Sequence, residues 1–107
     1  MYVRIHWGKI VPGSWSEIEA AYAPLLDHDV PGLLGRFVTQ DASDPESMFT
    51  LTFWKDAESV AAWEESADYR AVFAAAIRPF LLGSQSVSLS KVVTGRPRGD
   101  RGGFVLA

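Results

Sequence analysis

Two histidines and no cysteine stand among the 107 residues, so few side chains can carry a proton near neutral pH. Thiol catalysis, thiolate metal sites and disulfides are excluded. His6 lies in an alternating apolar–polar run and is the candidate general base, because imidazole titrates near neutrality. A satisfied structural histidine is the competing reading. Arg36 occupies a polar register of a later run, where a guanidinium would steady a developing oxyanion or would simply sit at the surface in an ion pair. Thr50, Thr52 and Trp54 share one face of a third run. Tyr22 and Tyr69 fall on helical stripes, as pocket hydroxyls or as packing residues with a wet tip. His28 stands between Asp27 and Asp29, but three adjacent side chains rarely converge on one ion, and the trio reads as a loop. No metal-ligand cluster, phosphate loop or nucleophilic triad occurs.

The elements that must position these groups are legible from periodicity. Residues 2–11 alternate and predict a strand that Pro12-Gly13 ends. Ser14-Trp15-Ser16-Glu17 has the form of a capping box. Ile18, Ala21, Tyr22, Leu25 and Leu26 then recur at helical spacing, with Pro24 expected to kink or shorten the helix. Residues 33–40 predict a second strand, residues 41–45 a hairpin loop, and residues 48–54 a third strand. Asp56 is a good N-cap for a helix carrying Val60 and Trp63, and Ser66 for a further segment carrying Tyr69, Val72, Phe73, Ile77 and Phe80. Pro79 and Gly83 are expected to close that segment, and residues 86–93 predict the last strand. The order is β-α-β-β-α-β, a ferredoxin-like α+β arrangement with a broken second helix.

One domain over residues 1–94 fits this length, followed by a flexible, Gly-rich basic tail over residues 95–107. The net charge is −3, and the tail's Arg96, Arg98 and Arg101 against Asp100 leave the body more acidic still. Such a balance speaks against a nucleic-acid partner. No apolar run reaches the length of a membrane span, and the chain opens on strand-like residues, so a cytoplasmic protein with no membrane partner is expected. The strands divide into a greasy set (Val3, Ile5 and Trp7; Leu33 and Phe37; Phe49, Leu51 and Phe53; Val87, Leu89 and Val93) and a more polar one. The polar set is Arg4 and His6, Arg36 and Gln40, Thr50, Thr52 and Trp54, with Ser86, Ser88 and Ser90. Helices can cover only one face. Covering the greasy face leaves a monomer. Covering the polar face leaves the greasy one for a second copy, and the pattern alone decides neither.

The segment TFWKDAESVAAWEESADYRAVFAAAIRP, residues 52–79, resembles the antibiotic biosynthesis monooxygenase family of dimeric α+β barrel proteins. The order Trp54, Asp56, Glu58, Trp63, Ser66 carries the likeness, which extends over residues 2–93. The resemblance implies a homodimer that binds a small hydrophobic aromatic molecule between sheet and helices. It also implies oxidation of a planar aromatic or quinone-like compound by O2, without metal or flavin. Trp63 matches a tryptophan that lines the family's pocket and stacks on the ring. His6 and Arg36 would then be catalytic with it, and Trp54, Tyr69, Thr50, Thr52, Tyr22 and Phe73 would form the pocket. A related branch degrades haem with an asparagine, a tryptophan and a histidine. Those positions fall here on His6, Trp63 and Phe73, and a phenylalanine cannot ligate iron. A non-catalytic binding dimer is the alternative function.

Overall fold

A computed structural model describes residues 1–98; residues 99–107, most of the basic tail, lie outside the described residues. The chain runs β1 (Tyr2–Ile10), α1 (Trp15–Tyr22), β2 (Leu33–Gln40), β3 (Ser47–Trp54), α2 (Ala57–Glu65), a π-helical turn (Asp68–Phe73), α3 (Ala74–Ile77) and β4 (Leu81–Lys91). The four strands form one antiparallel sheet in the order β2-β3-β1-β4. This is the expected β-α-β-β-α-β topology, with the second helical layer broken as anticipated.

Local chemistry explains most boundaries. Pro24, lacking an N–H, ends α1 and tightens residues Ala23–Leu25 into a 3₁₀ turn. Asp56 caps α2 by accepting from the Ser59 backbone N–H at 2.8 Å. Ser66 receives the Tyr69 backbone N–H and donates to the Trp63 carbonyl, so it joins α2 to the π turn. The capping box at Ser14 does not form: its hydroxyl donates to the Val11 carbonyl, and α1 starts without a side-chain cap.

The helices roof the polar face of the sheet. Arg4, Thr50, Thr52 and Trp54 are buried beneath them, with Ile10 and Met48 from the strands and Ile18, Val60, Trp63, Phe73 and Ile77 from above. Val3, Ile5, Trp7, Phe49 and Leu51 point to the opposite face, which no helix among the described residues covers. They stay partly exposed.

Strand β4 departs from expectation. It begins at Leu81, so Gly83 lies within the strand, at φ 66°, where a side chain would be strained. A bulge opposite residues 7–9 of β1 accompanies it. Val87 pairs with His6 and Leu89 with Arg4, which puts both on the helix side of the sheet, while Ser86, Ser88 and Ser90 pair with Trp7, Ile5 and Val3. The register slips by two residues across the bulge, so facing is the same on both sides of it, and pairing with β1 takes Val87 and Leu89 off the greasy face expected for them. Val93 lies beyond the strand and is exposed. A similar irregularity between Leu33 and Gly35 turns Leu33 toward Trp54 and the core.

Candidate functional site

Between the roofed face of the sheet and the second helical layer lies a cavity of about 200 Å³. Alternation along the strands aims Arg4 and His6 of β1, Arg36 of β2 and Thr50 of β3 into it. Tyr22 of α1, Trp63 of α2, and Tyr69 and Phe73 of the π turn form the opposite wall. Because Ser66 bonds both the Trp63 carbonyl and the Tyr69 N–H, one serine sets the relative position of these two aromatic rings. Trp63 meets Phe73 edge-on at 4.8 Å between centroids and Tyr69 at 5.5 Å. It is only 5% exposed, yet it borders the cavity. The aromatic wall is thus both core and lining.

The polar groups divide into anchored and bare ones. Arg4 donates from Nε to Glu64 Oε2 and from Nη2 to the Tyr69 hydroxyl, each at 3.0 Å. His6 Nε2 lies 2.7 Å from Gln85 Oε1. An Nε2–H donated to that oxygen leaves Nδ1 with the lone pair. Burial lowers the His6 pKa, with the Arg4 charge adding to it against the Gln85 hydrogen bond, so the imidazole is held neutral at pH 7. Arg36 rests its guanidinium 4.4 Å from the Phe73 ring centroid and 5.5 Å from that of Trp63. Its Nη2 is buried without a hydrogen-bond partner, as is Thr50 Oγ1. Burial pushes the Arg36 pKa down, opposed by Tyr22. Burial likewise pushes the Tyr22 phenol up. The Thr50 hydroxyl works against that rise, although its contact with Tyr22 falls short of hydrogen-bond geometry.

His6, Arg36, Trp63, Tyr69, Thr50, Tyr22 and Phe73 are therefore brought to one cavity. Trp54 and Thr52 are not. The Trp54 indole donates to Thr52 Oγ1 at 2.8 Å, and the pair is buried in the sheet's core below the lining. Arg4, Ala74, Ile77, Arg78, Leu81 and Gln85 complete the wall and were not foreseen as site residues. Arg4 was within reach of the pattern, two residues before His6 on the same face. Gln85 was not, because the last strand was expected to start after it. A larger groove of about 510 Å³ between α1 and β2 shares Tyr22 and Arg36 with this cavity but contains no histidine. No group of three or more acidic, histidine or cysteine side chains able to hold a metal occurs among the described residues.

Solved structures share this architecture. The haem-degrader of Mycobacterium tuberculosis, solved with two haems in its active site, superposes with a TM-score of 0.74 at 23% identity, over 91% of this chain and 100% of that one. A conserved protein from Methanosarcina mazei Go1 gives 0.72 at 18% identity, over 85% and 92%. A crystal structure of an antibiotic biosynthesis monooxygenase gives 0.70 at 17% identity, over 88% and 100%. At such identities the likeness establishes the fold. No curated protein matches the chain. The sequence profile of the antibiotic biosynthesis monooxygenase family matches residues 1–75, which hold β1 through the π turn and every aromatic residue of the cavity wall. That stretch is well over half of the sequence, and the chain belongs to the antibiotic biosynthesis monooxygenase family.

Proposed function

We propose that this protein is a cofactor-independent oxygenase acting on a small planar phenol or related quinone precursor. The observation that carries the reading is the meeting, in one cavity, of a neutral imidazole, an unsatisfied guanidinium donor and an aromatic wall. Trp63 and Phe73 hold the ring. His6 takes the phenolic proton, and Arg36 steadies the oxyanion that results. The electron-rich carbanion resonance form adds O2, forming a C–O bond and a hydroperoxide. Loss of the remaining C–H proton breaks the O–O bond, and hydroxide leaves as water while the carbonyl forms. The balance is one CH2-equivalent plus O2 giving one C=O plus H2O, and His6 ends neutral. Fixed donors on the wall stabilise the developing charge without the reorganisation that bulk water would need.

A second copy of the chain completes this reading. Val3, Ile5, Trp7, Phe49 and Leu51 form an apolar sheet face outside the helical cover. Such a face is best met by its own image across a two-fold axis, giving a barrel shared by two protomers. No helix of the described residues is long and apolar enough to cross a membrane.

The test is oxygen uptake with 1,5-dihydroxynaphthalene and with dithranol, in chelator and without flavin. The expected result is uptake above background with formation of the corresponding quinone, reduced about 10²–10⁴-fold in His6→Ala and also lowered in Trp63→Phe. Uptake indifferent to both substitutions would place the chemistry elsewhere. Binding of these ring compounds with no uptake would make the protein a binding module instead.

A further inference from the structure

The charge on the cavity wall is one-sided. Arg4, Arg36 and Arg78 line it, and no Asp or Glu does. The one acid that reaches this cluster, Glu64, is spent on Arg4 Nε from outside the lining. Arg36 has ring faces beside it but no hydrogen-bond acceptor for Nη2. Across the β2–β3 pair Arg36 stands opposite Thr52 and Val38 opposite Thr50, so Arg36 and Thr50 are diagonal neighbours on one face. The two buried side-chain polar atoms without partners among the described residues are thus Arg36 Nη2 and Thr50 Oγ1, and their residues border the same cavity. Native structures seldom leave buried donors unused, and a buried cation without an anion is costlier still. Arg36 Nη2 can only donate, and the Thr50 hydroxyl, with Tyr22 nearby but out of hydrogen-bond geometry, can donate as well.

We propose that the natural ligand of this cavity is an aryl carboxylate of one or two fused rings, its carboxylate received by Arg36 Nη2 and Thr50 Oγ1 and its ring laid against Trp63 and Phe73. A planar carboxylate offers two oxygens to two separate donors. The cavity's volume of about 200 Å³ lies below the ~300–1,000 Å³ of sites for drug-sized ligands, which sets the limit of two rings. A neutral phenol of the same size leaves the guanidinium charge uncompensated. The inference rests on the cavity being the substrate site, as proposed above. It assigns to the natural substrate an acid group besides its oxidisable ring, one that strengthens binding and is not required for turnover.

Binding separates this from turnover. Titration calorimetry of the whole protein with 2-naphthoate and with isosteric, neutral 2-naphthamide uses two probes that lack the reactive hydroxyl. The expected result is at least a tenfold tighter Kd for the naphthoate, a gap that narrows as salt rises. Arg36→Gln should close the gap, Arg36→Lys should keep part of it, and Lys55→Gln, outside the lining, should leave it unchanged. Equal affinities for the two probes in the wild type, or no binding of either, would overturn the proposal without recourse to any variant. A gap that survives Arg36→Gln would also overturn it. Oxygen uptake with uncharged 1,5-dihydroxynaphthalene scores the oxygenase reading separately, so either reading can fail while the other stands.

Discussion

His6 and Arg36 have been given opposite problems by the same burial. Desolvation lowers the pKa of each, which suits a base that must be neutral and strains a guanidinium that must stay charged. The consequence for pH is specific. Because the folded state holds a proton on His6 less readily than the unfolded chain does, protonation removes both the base and some stability as pH falls below about 6.5. The oxygenase rate should therefore decline on the acid side, with a midpoint below 6.5. A pH–rate profile with its acid limb centred above that value would remove His6 from the role of base. The contrast between Trp63 and Trp54 is instructive at the same scale. Two tryptophans nine residues apart pack with centroids 6.3 Å apart, yet one borders the cavity and the other is sealed beneath it with its N–H satisfied.

At the scale of elements, the site depends on how β2 and α2 are tied together. Gly32, just before β2, has φ 82°, and its carbonyl accepts from the Lys55 N–H at 2.9 Å. A Cβ built at Gly32 would lie 2.1 Å from Ser59 Oγ, in the first turn of α2. Only glycine satisfies both the backbone and the clearance, and the arrangement holds the start of β2, hence Arg36, in register with the helix that bears Trp63. Gly32→Ala should cost about 1–3 kcal/mol from backbone strain alone, read as a lower urea midpoint with an unchanged slope. A midpoint within error of wild type would mean that the turn relaxes freely. The π-helical turn over Asp68–Phe73 is the other element that matters, since it sets Tyr69 on Arg4 and Phe73 on Arg36. His28 ties that turn to the α1–β2 loop through Asp68 at 2.9 Å and meets Phe73 edge-on.

For the whole molecule, the two sides of the sheet have separate tasks: one is closed by this chain's helices, and the other exposes apolar side chains around Leu51, which pairs with Ile5 near the sheet's centre. If two protomers close a barrel on that face, Leu51→Glu should convert a dimer into a monomer by sedimentation equilibrium at micromolar protein. A wild type that sediments as a monomer would leave the face without the proposed partner. The cavity opens on the opposite side of the sheet, so the variant also asks whether oxygenation needs the dimer at all.

Much of this was determined by the sequence itself. Alternation in residues 2–11 and 48–54, helical spacing after Ser14, and the Asp56 and Ser66 caps are local signals, and each element formed where its own residues favour it. The family likeness in residues 52–79 was likewise written in residue order. The face that the helices would cover was not, because alternation shows that a strand has two faces without saying which is roofed. Nor was the facing of the β4 residues, which their pairing with β1 decides. That pairing puts Gln85 beside His6 and Val87 and Leu89 on the helix side. The pairing of Arg4 with Glu64, sixty positions away, and the bare Nη2 of Arg36 are equally tertiary facts. A side chain's partners come from segments distant along the chain, and only packing brings those segments together or leaves a donor with none.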